Sequence, residues 1–411
     1  MAGAQRGNSR LLIALAFLSF IAMGLFVGLM GVAWPSIRLS YGIPLDAIGA
    51  LFLFSMAASL IFSFSSGRLI AGVGLGVLLL IGGILASLGF LGYAAAPAWW
   101  TMILAAAIAS AGTTLINTGL NTYFAIISTA SLMSWLHASF GLGATISPIV
   151  MAAMLNAGYS WRWGFAFVAL CFAVLSLLYL FTRRHWPLPE HKASDQSTDV
   201  PVQSSYRDSL KLAGVWLSLL LFAAFTGMEG TAGQWPYVLF TESRAIDPVV
   251  AGLWVSIFWA SITMGRLFFG AIVGRTGTVP LIRACGVLIV AGSALLWWNP
   301  SNTLSFAGLI LIGFAASPYF PVLASETPRL FGQENAANII GFQITAVRLG
   351  LAIVPASVGV LARAAGLETI GLSMFAIAVA VVVLYELTLR TTARAETALP
   401  EGEGSYGKEL A

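Results

Sequence analysis

Twelve apolar runs, each about 20 residues or longer, constrain this chain more than anything else in it, because that length matches the hydrocarbon thickness of a bilayer. They fall near 11–34, 45–66, 75–96, 100–127, 132–156 and 162–182, then near 213–241, 248–272, 279–298, 303–325, 336–361 and 367–390. Each reads as a transmembrane helix, so the expected fold is an all-α polytopic membrane protein. Arg6 and Arg10 precede the first run, which is too long for the apolar core of a secretory leader and is followed by no small-residue cleavage site. It reads as a retained span.

Between the sixth and seventh runs lies the one long polar segment, where Arg183, Arg184, His185, Glu190, His191, Lys192, Asp195 and Asp199 sit among Pro, Ser and Gln. Such a composition buries too little apolar surface to fold alone, so 183–212 is expected to be a solvated linker. Landmarks before it recur after it. Trp34-Pro35 is echoed by Trp235-Pro236, Gly67-Arg68-Leu69 by Gly265-Arg266-Leu267, and Gly143 with Pro148 by Gly350 with Pro355, at offsets of 201, 198 and 207 residues (235 − 34, 266 − 68, 350 − 143). Parallel halves flanking a polar linker are the layout of a secondary transporter. The expected divisions are an N-terminal six-helix bundle over 1–182, a cytoplasmic linker over 183–212, a C-terminal six-helix bundle over 213–390 and a disordered cytoplasmic tail over 391–411.

Composition supports the same class. Charged residues make up 9% of the chain against about 25% in soluble domains, and the 43 glycines suit closely packed membrane helices. The net charge of +4 does not point to nucleic acid, since the basic residues sit at helix ends and form no patch interleaved with aromatics. If both termini are cytoplasmic, Arg6, Arg10, Arg68, Arg183, Arg184, Lys192, Arg207, Lys211 and Arg275 lie inside with most other basic residues. Only Arg38, Arg162, Arg244 and Arg363 then lie outside. That asymmetry satisfies the positive-inside rule and suggests a plasma membrane protein, in a bacterium the inner membrane, acting as a monomer in contact with lipid. Cys171 and Cys285 fall inside apolar runs of different halves, which suits packing rather than a disulfide or metal site. No cofactor is expected.

Polar residues inside a bilayer are costly and mark a cavity or a buried partner. The third, sixth, ninth and twelfth runs are almost wholly apolar apart from Glu386, which Arg390 one turn later is expected to satisfy, and these four read as scaffold. The other eight carry Asn117, Asn121, His137, Glu229, Gln234, Tyr319, Gln343 and Arg348, with Ser55, Ser59 and Ser63 on one helical stripe. These eight are expected to surround the pathway.

Glu229 is the only carboxylate well inside a run, about 24 Å from the cytoplasmic start of its helix, and Arg348 lies about 20 Å in, so the two are expected to meet across the second bundle. The functional reading has Glu229 take up and release a proton, or hold a cation, with Arg348 as counter-charge or substrate ligand; the bland one is a static ion pair. His137, five residues into its helix, suits a cytoplasmic gate or proton relay as well as plain packing. Asn117 and Asn121 share a face and suit a polar solute or interhelical hydrogen bonding. Gln234, Trp235, Trp254, Trp259, Tyr319 and Gln343 are candidates for stacking on and bonding to a sugar-like ring, or for packing. Trp34 and Trp235, near the outer ends of equivalent helices and each before a proline, suit a paired outer gate or an interfacial belt.

Gly67-Arg68-Leu69 with Gly74, and Gly265-Arg266 with Gly270, Arg275 and Gly277, resemble the cytoplasmic loop signature of the major facilitator superfamily. The acidic residue of that signature is replaced by Ala71 or a near neighbour in the first copy and by Gly274 in the second. Within the superfamily, Leu136-His137-Ala138 running to Pro148, Gly227-Met228-Glu229 running to Trp235, and Pro318 to Pro328 continuing into Gly341-Phe342-Gln343 resemble the fucose-permease-like branch. That branch includes fucose:proton symporters and sodium-glucose transporter-like members.

The resemblance implies twelve helices in two pseudo-symmetric six-helix bundles, a central cavity, alternating access, and Arg68, Arg266 and Arg275 as gate-loop residues. It implies a small polar, sugar-like solute moved with a proton or sodium ion. The first and fourth helices lack the carboxylates that fucose permeases use, which leaves coupling to Glu229, or leaves facilitated diffusion.

Drug or metabolite efflux by proton antiport is the alternative, although Gly143 stands clear of Pro148 where the antiporter signature has adjacent Gly-Pro. A receptor or an intramembrane enzyme finds no support, since no zinc motif, nucleophile elbow or nucleotide-binding loop is present.

Overall fold

The computed structural model describes residues 2–127, 130–186 and 205–397. Twelve helices in it are long and apolar enough to cross a membrane. They are α1 (Arg10–Tyr41), α2 (Leu45–Val73), α3 (Leu75–Ala95), α4 (Trp99–Ile126), α5 (Trp135–Asn156), α6 (Arg162–His185), α7 (Ala213–Ser243), α8 (Pro248–Thr276), α9 (Thr278–Trp298), α10 (Asn302–Phe331), α11 (Gln333–Ala365) and α12 (Thr369–Ala393). Short connections make successive helices antiparallel, so the start of α1, the end of α6, the start of α7 and the end of α12 fall at one end, the terminal end, of the described residues. Most of the expected linker and the tail beyond 397 lie outside the described residues.

Local chemistry sets the helix ends. Gly74 and Gly277, at φ +80° and +75°, cap α2 and α8 in a backbone conformation that side-chain-bearing residues resist, and Asn299 at φ +49° ends α9. Asp247 caps α8 by accepting from the N–H groups of Val249 and Val250 at 2.9 and 3.0 Å. Helix α1 runs through Pro35 to Tyr41, past the expected end at 34, because a proline near the end of a long helix frees few carbonyls.

Three expectations are corrected. The last helix continues to Thr397 rather than ending at 390. The end of the linker is docked, not free: Tyr206–Ser209 forms a helical turn whose Ser209 hydroxyl donates to Asn335 Oδ1 at 2.9 Å. Glu386 pairs not with Arg390 but with Arg283 of α9, which donates to both carboxylate oxygens at 2.6 and 2.8 Å, a two-point geometry that one-turn neighbours on a helix rarely reach.

Within each half, helix pairs meet through glycine. A Cβ on Gly24 or Gly143 would sit 2.0 or 2.1 Å from the carbonyl oxygen of Phe140 or Ile21, so α1 and α5 touch backbone to backbone. A Cβ on Gly350 would sit 2.1 Å from the Ala223 oxygen, repeating the approach between α7 and α11. The halves meet along α5 with α8 and α2 with α11.

Away from the termini the two halves close on each other. Arg38 donates to Glu242, Arg363 donates to Asp46 at 3.0 Å, and a Cβ on Gly49 would lie 3.0 Å from that of Ala356. Trp34 and Trp235 belong to this seal: both are fully buried, their indole N–H groups donating to Leu45 O at 3.1 Å and Pro355 O at 2.9 Å. Complete burial is incompatible with an interfacial belt. Arg244 adds a staple within the second half, donating to Leu296 O at 2.9 Å, Ser305 Oγ at 3.1 Å and both oxygens of Glu368.

At the terminal end the halves stand apart. Arg68 and Arg275 are exposed, with no ion pair among the described residues, and a Cβ on Gly67, Gly72, Gly270, Gly274 or Gly341 would meet nothing within 4 Å.

One measurement tests the seal and a second the staple. Replacing Arg38 and Arg363 together by Ala removes both inter-half ion pairs. Because they are partly exposed, they contribute only about 1 kcal/mol together, which is about fivefold in the ratio of open to sealed molecules. The labelling rate of a Ser55→Cys probe by an impermeant thiol reagent from the sealed side should rise accordingly, in a background lacking Cys171 and Cys285.

Hydrogen bonding from Arg244 holds the Glu368 carboxyl below its usual 4.5, outweighing desolvation. A depressed carboxylate stabilises above its unfolded pKa and loses that stabilisation as pH falls through the folded value. Glu368→Gln should therefore lower the melting temperature slightly at pH 7, and the difference from wild type should shrink as pH drops below about 4.5 and vanish below the folded value.

Candidate functional site

Between the halves, beneath the seal, is a cavity of about 320 Å³. Six helices line it: α1 (Phe26, Val27, Met30), α2 (Leu51, Phe52, Ser55, Met56, Ser59), α4 (Ser110), α7 (Glu229, Gly230, Gly233, Gln234), α8 (Trp259) and α11 (Arg348, Leu351, Ala352, Pro355). None of α3, α6, α9 and α12 contributes. Helices α5 and α10, expected at the pathway, do not contribute either.

The wall contribution of α7 follows from its sequence. Glu229, Gly230, Gly233 and Gln234 lie at i, i+1, i+4 and i+5, one face of a helix. The two glycines keep that face shallow: a Cβ on Gly233 would lie 2.6 Å from the Trp259 ring, and one on Gly230 would lie 3.1 Å from Leu351. The indole of Trp259 thus rests on the α7 backbone beside Gln234.

Charge in the cavity is arranged differently from the sequence expectation. Glu229 and Arg348 both face it, yet the ion partner of Glu229 is Arg266 of α8, with Nη2 at 4.0 Å from the carboxylate. Arg348 reaches across to the other half. Its Nη1 donates to Ser59 O and Ser59 Oγ at 2.7 and 2.5 Å, and its Nη2 to Ser63 Oγ at 3.1 Å. The serine stripe on α2 is its counterpart, held from behind by α4, where Ser110 donates to Ser55 O and Thr114 donates to Ser59 Oγ.

Arg266 is a further correction. The sequence echo pairs it with Arg68 as a gate-loop residue, but Arg68 lies six residues before its capping glycine (74 − 68) and Arg266 eleven before its own (277 − 266). At about 1.5 Å per residue, Arg266 sits one and a half turns deeper, inside the span. Counted from the caps, Ser63 is its equivalent in the first half (266 − 203, with 203 = 277 − 74).

The other candidates scatter. Gln234 and Trp259 line the cavity. Trp235 is turned into the seal, and Trp254 stacks on Phe306 with ring centroids 4.1 Å apart, away from the cavity. Tyr319 is buried within the second half, stacked on Phe225 and donating to Ile282 O at 3.3 Å. Gln343 bonds Ser218 at 2.9 Å and Thr327, tying α11 to α7 and α10. Asn121 donates to Asn117 Oδ1 at 2.9 Å, which ties the two amides together on α4. His137 is exposed on the terminal side, edge-on to Phe20 at 5.4 Å.

Sequence reading missed the apolar wall from Phe26, Met30, Phe52 and Met56, since such residues look like ordinary span residues. It also assigned no role to Ser59, although the stripe itself was visible.

The family model described as Major Facilitator Superfamily matches residues 15–355 and 217–408. An uncharacterised MFS-type transporter of Yersinia pestis is 26% identical over 303 residues, covering 72% of this chain and 73% of its own length. A TsgA homologue of Serratia proteamaculans is 24% identical over 351 residues, covering 82% and 86%. Among solved structures, a point mutant of the nucleoside transporter NupG superposes with a TM-score of 0.75 at 15% identity, over 93% of this chain and 99% of its own. A peptide transporter, POT, in complex with sulfate gives 0.70 at 15% identity, over 93% and 95%. A family model that covers both halves shows membership, and the chain belongs to the major facilitator superfamily, whose members are secondary transporters and not enzymes.

Proposed function

We propose that this protein is a proton-coupled transporter that carries a small solute by alternating access, with Glu229 as the proton-carrying group. The single observation that carries the proposal is the position of Glu229: a carboxylate on the cavity wall, at mid-span, held by Arg266 at 4.0 Å rather than locked in a close two-point pair. A loosely held carboxylate is free to exchange its charge with solvent as the cavity changes sides. Arg348 bridges the halves to Ser59 and Ser63 and would have to release them as the halves rock. His137, exposed on the open side, suits proton entry.

The bias of basic residues toward the terminal end supports a cytoplasmic location for both termini, and so an inward-open state and a bacterial inner membrane. The fucose-permease-like resemblance supports symport. A hydroxyl-rich sugar fits less well than the sequence suggests, because Phe26, Val27, Met30, Leu51, Phe52 and Met56 offer it nothing to bond. That apolar wall also favours the second reading, efflux of a lipophilic compound by proton antiport.

The test is uptake into proteoliposomes with an alkaline interior, using radiolabelled sugars, organic acids and lipophilic cations. Accumulation of one class above its external concentration, abolished by a protonophore, is the expected result. Accumulation driven by the opposite gradient, with an acidic interior, would favour antiport, and accumulation unaffected by the protonophore would overturn the proton reading.

A further inference from the structure

Two polar groups on the cavity wall have no partner. Gln234 and Trp259 are 6% and 7% exposed, and Gln234 Nε2 and Trp259 Nε1 are buried without a hydrogen bond among the described residues. Both are donors, and a buried donor left unsatisfied is costly enough that native structures rarely keep one away from a ligand or water. Packing of the Trp259 ring on Gly233 brings the two donors to one patch of the wall, next to Glu229 and Gly230.

The charges facing the cavity point the same way. The negative charge of Glu229 is balanced by Arg266, whereas Arg348 bonds only the neutral oxygens of Ser59 and Ser63, and no described carboxylate lies within ion-pair distance of it. What the cavity lacks is one negative charge that accepts hydrogen bonds. A carboxylate is acceptor-only and carries one charge, which matches two free donors and a guanidinium without an anion, while a sugar hydroxyl would bring no charge for Arg348. A phosphate monoester would bring more charge than one guanidinium offsets.

Resting on the transporter reading above, we infer that the transported solute is an amphipathic monocarboxylate, its carboxylate taken by Arg348 with Trp259 and Gln234 and its apolar body seated among Phe26, Met30 and Phe52. At about 320 Å³ the cavity is at the small end of ligand pockets, which suits a small solute.

The experiment is binding to the purified full-length protein by thermal shift and calorimetry, with octanoate and 4-phenylbutyrate against octanamide, 4-phenylbutanamide, glucose and xylitol. The acids are expected to bind at least tenfold tighter than their amides, and the sugars not at all. Trp259→Phe, which keeps the ring and loses the N–H, should weaken acid binding about tenfold, the size of one hydrogen bond to a charged acceptor. Arg348→Gln should erase the preference for acid over amide. Equal binding of acid and amide, tighter binding of a sugar, no binding of either acid, or an acid preference that survives Arg348→Gln would overturn the inference. Protonophore-sensitive uptake in liposomes is read separately, so failure of the solute class is distinguishable from failure of proton coupling.

Discussion

Glu229→Gln is expected to abolish concentrative uptake while sparing exchange of solute across the membrane. For one proton per solute, a gradient of one pH unit supports about tenfold accumulation. The variant should reach only equal concentrations inside and out. The physical reason is that glutamine keeps the shape of the side chain beside Gly230 and removes the one carboxylate among the described residues that faces the cavity, so the site no longer changes charge as it changes sides. Counterflow, in which labelled solute exchanges for unlabelled without a gradient, needs no net proton movement and should persist. Glu229→Gln that accumulates solute at the wild-type ratio would remove Glu229 from the coupling step. Loss of counterflow as well would assign it to binding or folding, and Arg266 left without its anion would then be the first suspect.

Gly350→Val should destabilise the fold more than any substitution in the cavity. A Cβ there would lie 2.1 Å from the Ala223 carbonyl oxygen and 2.7 Å from its Cα, and backbone atoms cannot rotate out of the way. Helices α7 and α11 would have to part, opening the packing around Gly227 and Val354 and pulling Arg348 off its serines. Overpacking of this kind costs about 1–3 kcal/mol, toward the upper end where backbone blocks backbone. Gly143→Val in the first half should behave alike, since its Cβ would meet Ile21 O at 2.1 Å. Thermal unfolding in detergent gives the measurement, with Gly341→Ala as the control, because a Cβ at 341 meets nothing within 4 Å. A melting temperature for Gly350→Val within a degree of the control would mean that α7 and α11 do not touch as described.

The seal and the cavity differ in how they use the same sequence echoes. Trp34 and Trp235 occupy equivalent places, and both point into the seal, each anchored on a backbone carbonyl. Around the cavity the symmetry is broken: Arg266 corresponds by cap position to Ser63, so one half carries the charges and the other presents hydroxyls to Arg348. Bonds from Arg348 to Ser59 and Ser63 are therefore contacts between unlike halves, of the kind that rocking can make and break.

Sequence alone determined the number of spans, their all-helical character and the doubling of the chain, because hydrophobic length and the need to close backbone hydrogen bonds in lipid are properties of one segment at a time. It also marked Glu229, Gln234, Trp259 and Arg348 as worth notice, since polarity inside an apolar run stands out in one dimension. Pairing it could not reach. Glu229 with Arg266, Arg348 with Ser59, and Glu386 with Arg283 each join residues on different helices. Helical counting places a residue's depth and face but not the rotation and approach of its neighbour. Tyr319 and Gln343 looked like Gln234 in sequence and differ only in the direction their helices turn them, into a bundle rather than toward the cavity. The tertiary structure decided which polar groups meet, because that depends on how closely glycine lets two backbones approach, and closeness between helices is written in no single one of them.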